Sequence, residues 1–185
     1  MVVAIVVIVI VVLLVLFVFL QFNKLRKLSV NVDEGYAQID VQLTRRSDLI
    51  PNLVETVKGY AAHEKSVLEA VTEARAATQQ AKSIDQMASA DAQLTGALRG
   101  LMIVAENYPD LKASANFLQL QEELTTTENK IAFARQFYNE SVRALNSAIV
   151  TVPSMWFTGM AGVQKREFYQ VPSQSQRIAP EVGFN

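Results

Sequence analysis

The fold is decided by residues 36–74, which read YAQIDVQLTRRSDLIPNLVETVKGYAAHEKSVLEAVTEA. Mainly apolar side chains recur there in alternating steps of three and four residues, sustained for about five heptads. This row contains Tyr36, Ile39, Leu43, Arg46, Ile50, Leu53, Val57, Tyr60, Glu64, Val67, Val71 and Ala74. The spacing predicts long α-helices that pack against one another at shallow angles, as in helical bundles.

Pro51 lies inside the row and does not shift its phase. A proline in a helix interior removes one backbone hydrogen bond and costs about 3 kcal/mol, whereas a true turn would normally change the phase. We therefore predict one helix from about Asp33 to Ala77, kinked near Ser47 to Pro51. Arg46 and Glu64 are the charged members of the row. A charged residue there can fix helix register, but we favour side chains that extend past the edge of the packed face.

Two further helices follow. Ser83 and Gln86 have the spacing of a capping box, and the helix they open is stopped by Pro109. A third helix runs from about Asn116, as N-cap, to Pro153. The sequence thus predicts an all-α fold, an antiparallel bundle of three long helices with a short C-terminal element.

An uninterrupted apolar run, Met1–Leu20, precedes the bundle. As a helix, 20 residues rise about 30 Å, the thickness of a bilayer core. The run lacks the basic start and small residues of a cleaved signal peptide. Lys24, Arg26 and Lys27 follow it. By the positive-inside rule we expect a single-pass protein of the bacterial cell membrane, with its N-terminus outside and the bundle in the cytoplasm.

The expected organisation has four parts. These are a transmembrane anchor (1–22), a basic juxtamembrane linker (23–32), the helical bundle (33–153) and a C-terminal tail (154–185) with an apolar cluster at its start. With three helix directions, Trp156 is expected far from the lipid. A full turn at Pro51 would instead bring it back toward the headgroups.

The composition excludes several kinds of chemistry. Seventeen Lys and Arg balance 18 Asp and Glu, so the broad basic surface of nucleic-acid binders is missing. There is no cysteine and one histidine, His63, and a zincin-type motif would need a second histidine where Val67 stands. We predict no catalytic residue, cofactor, metal site or small-molecule substrate. A hydrolase using helix carboxylates is a minor alternative, motivated by Asp91 in an apolar row.

A cluster of polar and aromatic residues remains as a candidate interaction surface. It comprises Arg45, Arg46, Asp48, Pro51, Asn52, Tyr60, His63 and Glu64, together with Trp156 and Phe157 in the tail. The functional interpretation is a recognition surface whose backbone is opened by the proline. The alternative is a kink with ordinary intrahelical ion pairs such as Glu55 with Lys58.

The sequence also resembles a known family. Residues 39–64, with the segment DLIPNLVETVKGYAAHE (48–64), and residues 108–121, with YPDLK and FLQLQ, are similar to the signature of the LemA family. The resemblance covers about residues 24–170. It implies a single N-terminal membrane helix, a four-helix-type bundle outside the membrane, and no established activity or catalytic residues. It also implies partners such as membrane proteases or phosphatase-like domains.

The leading hypothesis is therefore a non-enzymatic, membrane-tethered interaction module. Lipid would bind its N-terminal helix, and the kinked first helix and tail would be presented to a membrane-protein partner. A structural protein that self-associates into a membrane-attached assembly is the alternative.

Overall fold

The computed structural model describes residues 1–170, and every regular element in that range is helical. The elements are α1 (Val2–Lys58), α2 (Lys65–Gln80), α3 (Ile84–Ala105), α4 (Pro109–Ala113), α5 (Ala115–Val150), a 3₁₀ turn (Ser154–Phe157) and α6 (Thr158–Ala161). The predicted all-α class with one long apolar N-terminal helix and bundle packing is confirmed. Part of the predicted tail, 171–185, lies outside the described residues.

The chain divides into two compact units. Within the described residues, unit 1 contains 1–40 and 131–168, and unit 2 contains 41–130 and 169–170. Because of their length, α1 and α5 each contribute residues to both units.

The predicted rows of apolar residues form the core of each unit. In unit 2, Ile50, Leu53 and Val57 of α1 are fully or almost fully buried. In α3 the buried row runs from Ile84 to Ala105, and Ser83 caps that helix with the predicted Gln86 capping box. The spacing of three and four residues therefore identified the packed faces of α1 as far as Val57 and of α3, whereas Tyr60 of the predicted row is exposed.

The predicted helix from Asp33 to Ala77 is wrong, because α1 ends at Lys58 and α2 begins at Lys65. The amide of Ala61 bonds the carbonyl of Val57, and that of Glu64 bonds the carbonyl of Ala61. Such hydrogen bonds span three or four residues, as helical ones do. The spacing of three and four residues therefore continues through the connecting segment although the helix has ended. For this reason the turn cannot be recognised from a change in the phase of the row. The bundle has one more long helix than predicted.

Pro51 lies inside α1, so the prediction that the helix continues through it is confirmed. Because Pro51 has no amide proton, it cannot donate the helical hydrogen bond to the carbonyl of Ser47, four residues earlier.

In unit 1, α1 and α5 come into close contact at Gly35. A Cβ atom built on Gly35 would lie 2.9 Å from Cα of Tyr138, a distance that real Cβ atoms do not adopt. Glycine is therefore required for this approach of the two backbones. Leu25, Val32 and Ile39 of α1 are buried in the same unit.

The N-terminal part of α1 is different. Its apolar segment is unburied, and over the described chain α1 is the one helix long and apolar enough to cross a membrane. The helix continues without a break through residues 23–32. Length and composition thus indicate a membrane anchor continuous with the first helix of the bundle.

Candidate functional site

The most elaborate polar cluster lies in unit 2, around Arg46. A terminal nitrogen of its guanidinium lies 2.9 Å from Asp91 Oδ1, 2.9 Å from Glu128 Oε2 and 3.1 Å from Thr95 Oγ1. The Arg46 side chain is 5% exposed and that of Asp91 is 1% exposed, so this ion pair is removed from water. Glu128 stays in contact with solvent. The pair joins α1 to α3, and Glu128 adds α5.

Asp91 has a second partner. The hydroxyl of Tyr169 donates to Asp91 Oδ2 at 2.9 Å, so each carboxylate oxygen of Asp91 accepts a hydrogen bond. A buried carboxylate needs such partners because burial removes its hydration. The arrangement gives Asp91 structural partners on α1 and in the segment that contains Tyr169.

Arg46 must therefore be corrected as a candidate surface residue. The favoured interpretation had its side chain extending past the edge of the packed face, but the residue is buried. The reason is the oppositely charged Asp91, which occupies the corresponding row of α3 and provides a partner inside the bundle. Arg46 and Asp91 lie 45 residues apart, and the sequence has no local pattern that pairs them. Tyr169 was missed because it lies in an irregular segment.

The backbone at Pro51 is not open to a partner. Arg75 of α2 donates from Nε to the carbonyl oxygen of Ser47 at 3.0 Å, replacing the amide proton that Pro51 lacks. The interpretation of an opened backbone is therefore wrong at this carbonyl. Instead, the proline creates an acceptor that connects α1 to α2.

The other candidate residues of unit 2 lie on its surface. Arg45, Asp48, Pro51 and Asn52 are exposed on α1. Tyr60 and His63 are exposed in the segment between α1 and α2.

Glu64 is half-buried and is tied to the fold. It accepts a hydrogen bond from the hydroxyl of Tyr108 at 3.2 Å. Desolvation, followed by the hydrogen bond and the charge of Glu64, raises the pKa of the Tyr108 hydroxyl above its usual value. This contact joins the start of α2 to the segment after α3, so Glu64 has a structural partner.

Two grooves flank the last turns of α1. One, of about 490 Å³, lies between α1 and the start of α5. It is lined by Leu49, Asn52, Glu55, Thr56, Asn116, Gln119, Leu120 and Glu123. The other, of about 690 Å³, is more apolar and lies between α1 and α2. It is lined by Val54, Lys58, Ala62, Lys65, Leu68, Glu69, Thr72, Glu73 and Ala76.

Trp156 and Phe157 belong to unit 1, and Phe157 contacts the apolar segment of α1. The ring centroids of Phe157 and Phe17 are 6.0 Å apart in an edge-to-face arrangement. Ser154 Oγ donates to Gln21 Oε1 at 3.0 Å. The expectation that this cluster lies far from the anchor is therefore wrong. It followed from a bundle drawn with one helix too few.

Across residues 1–170, no three His, Cys, Asp or Glu side chains form a group that could hold a metal ion. The fold and the site define a class of protein: an all-helical protein with one long apolar N-terminal helix and, in unit 2, a buried arginine–aspartate ion pair.

Comparison with known proteins identifies the family within this class. The model of the LemA family matches residues 35–184, and the chain belongs to this family.

Its relatives include proteins with different names. Protein LemA of Metamycoplasma hominis is 28% identical over 153 residues, which cover 80% of this chain and 66% of the relative. Magnetosome protein MamQ of Magnetospirillum gryphiswaldense is 24% identical over 174 residues, 79% of this chain. Magnetosome protein MamQ 2 of Paramagnetospirillum magneticum is 22% identical over 175 residues, 80% of this chain. The chain spans 64% of the length of each of these magnetosome proteins.

Proposed function

We propose that the chain is a non-enzymatic, membrane-tethered interaction module whose unit 2 presents a surface to a membrane-protein partner. The observation that carries the proposal is the pair of grooves on either side of the last turns of α1. One groove is polar and the other largely apolar. A partner that inserts side chains into both would bury apolar area and find fixed hydrogen-bond partners.

The exposed residues beside the grooves add specificity. Arg45, Asp48 and Asn52 are three and four residues apart on α1 and therefore share one helix face. Their charges are of both signs, so recognition depends on charge pattern rather than net charge. Tyr60 and His63 are exposed in the segment after α1, and aromatic side chains are enriched where proteins bind each other.

Membership of the LemA family agrees with a membrane-associated helical protein. For orientation, Lys24, Arg26 and Lys27 are exposed immediately after the apolar segment. We propose on the positive-inside rule that the bundle is cytoplasmic. Protease added outside spheroplasts should then leave it intact, and digestion of the bundle would reverse the assignment.

Crosslinking in native membranes tests the proposed surface. A photo-crosslinking amino acid at Asn52 or Tyr60 should give discrete adducts with another membrane protein. The same group at Arg99, exposed on α3 of the same unit and outside both grooves, should not. Equal, diffuse labelling at all three positions would contradict the proposal. Adducts containing two copies of this chain would favour the homo-oligomeric assembly instead.

A further inference from the structure

We infer that the segment following α5, with Trp156 at its centre, is a second membrane contact that inserts into the lipid interface beside the anchor. The inference goes beyond the proposed function, because the partner is lipid and the surface belongs to unit 1. It starts from where the bilayer boundary falls on α1. Val2–Leu20 rise about 28 Å as a helix, close to the thickness of a hydrocarbon core. Gln21 is the first polar residue after them, so the boundary lies near it.

Two contacts attach the segment to α1 at this level. Phe17, which Phe157 meets, lies four residues before Gln21, or about 6 Å inside the apolar stretch. Ser154, hydrogen-bonded to Gln21, lies at the boundary itself. The 3₁₀ turn Ser154–Phe157 therefore spans the depth at which hydrocarbon gives way to headgroups.

The segment has two faces. Ser154, Ala161 and Val163 are buried against unit 1. Met155, Met160 and Trp156 point outward, and Trp156 is 69% exposed. An inward face that attaches the segment and an outward face of large apolar side chains are what an interfacial membrane element needs.

The chemistry of the outward face fits lipid. No Asp, Glu, Lys or Arg occurs between Arg143 and Lys165, so insertion of this stretch carries no charge out of water. Tryptophan is enriched at membrane interfaces because its ring is apolar and its N–H can bond water or headgroups. Lys24, Arg26 and Lys27 lie within the next two turns of α1, where they complement anionic headgroups.

Fluorescence of the full-length protein in vesicles tests this directly. Trp156 is the single tryptophan, so the unmodified chain is the reporter. In vesicles of phosphatidylcholine and phosphatidylglycerol, its emission should be blue-shifted and shielded from acrylamide. Lipids with a nitroxide near the headgroup should quench it more strongly than lipids labelled near the end of the acyl chain.

A matched control moves the reporter within the same unit. Phe133 is 72% exposed on α5, 17 residues before Val150, or about 25 Å along the helix. In the double variant Trp156→Phe/Phe133→Trp, emission should be quenched by acrylamide and unaffected by the nitroxide lipids. Far-UV circular dichroism should match that of the unmodified chain.

Three outcomes would overturn the inference. Trp156 quenched by acrylamide and indifferent to nitroxide lipids would place it in water. Equal lipid quenching of both reporters would mean that the segment around Trp156 contacts lipid no more than position 133 does. A blue shift that disappears on lowering the protein-to-lipid ratio would assign the face to a second copy of the chain. The vesicles contain no other protein, so the result is independent of the proposed partner surface.

Discussion

The two units each contain an arginine–aspartate pair of similar length in very different surroundings. In unit 2, Arg46 lies 2.9 Å from Asp91, with the side chains 5% and 1% exposed. In unit 1, Arg166 lies 2.7 Å from Asp33, with the side chains 46% and 59% exposed. The shorter pair is the more hydrated one.

The distance between the charged atoms therefore does not show which of the two pairs contributes more to stability. Water screens the exposed pair, and both of its ions keep hydration if the contact is lost. Asp91 is buried and has no such alternative, so removing Arg46 leaves the Asp91 carboxylate without its cation.

Arg46→Met should lower the free energy of unfolding by about 3–5 kcal/mol, because Asp91 is left buried without its cation. Urea denaturation of the detergent-solubilised full chain, followed by far-UV circular dichroism, measures this loss. The double variant Arg46→Met/Asp91→Leu should recover much of it, since the buried carboxylate is then removed together with its cation. A loss below about 1 kcal/mol for the single variant would mean that burial does not determine how much this ion pair contributes to the free energy of unfolding.

Arg75→Met should cost about 1–3 kcal/mol, because the Ser47 carbonyl loses its donor. In a Pro51→Ala background the cost should be clearly smaller, since the alanine introduced there supplies the missing amide. Pro51→Ala alone should gain less than the about 3 kcal/mol of an uncompensated interior proline. Arg99→Met, exposed on α3, is the control and should change stability by less than about 0.5 kcal/mol. Strictly additive effects of the Arg75 and Pro51 substitutions would refute the compensation.

Tyr138→Phe should cost about 0.5–1.5 kcal/mol, because the hydroxyl donates to the carbonyl of Glu167 at 2.8 Å. Burial raises the pKa of Tyr138 above its usual value of 10.0, against the opposing charge of Arg166. The stability linked to this shift is therefore fully present below about pH 10 and lost as pH rises through the folded-state pKa. Denaturation curves between pH 8 and 11.5 should show a smaller alkaline loss for Tyr138→Phe. An unchanged alkaline loss would contradict the assignment, and Tyr60→Phe is the control for stability at neutral pH.

Arg166→Met should have the smallest effect, about 0.2–1 kcal/mol, and the difference should shrink further at high salt. The backbone of Arg166 would stay in place, because Asn146 bonds both its amide and its carbonyl. Comparing denaturation midpoints in low and high salt provides the measurement. A salt-independent loss of several kcal/mol would remove the contrast with Arg46.

Features with a regular spacing along the chain could be predicted from the sequence, whereas contacts between distant residues could not. Rows such as Ile50, Leu53 and Val57 were identified because burial of one helix face imposes a fixed spacing. The capping box of Ser83 was found because its two partners are three residues apart. The pairing of Arg46 with Asp91 spans 45 residues and has no local pattern, so examining each helix by itself could not find it.

The candidate site was predicted less completely than the fold. Exposed residues such as Arg45 and Asn52 could be named from their position beside Pro51, but the grooves arise where different helices meet. Gly59 follows the last residue of α1 and was a usable stop signal. It was overlooked because the three-four spacing continues beyond it.

α1 is unbroken between the apolar segment and the packed residues of unit 1, and this continuity limits how unit 1 can move. The helix runs from the apolar segment through residues 23–32 to Leu25, Val32 and Ile39, which are packed inside that unit. A body on a loose tether tumbles about three axes, whereas one rigidly continuous with a membrane helix retains free rotation about the bilayer normal alone. A partner of the kind proposed above, in the same membrane, would then meet unit 1 within a restricted range of heights and tilts. Much of the orientational entropy normally lost on binding has already been lost on insertion.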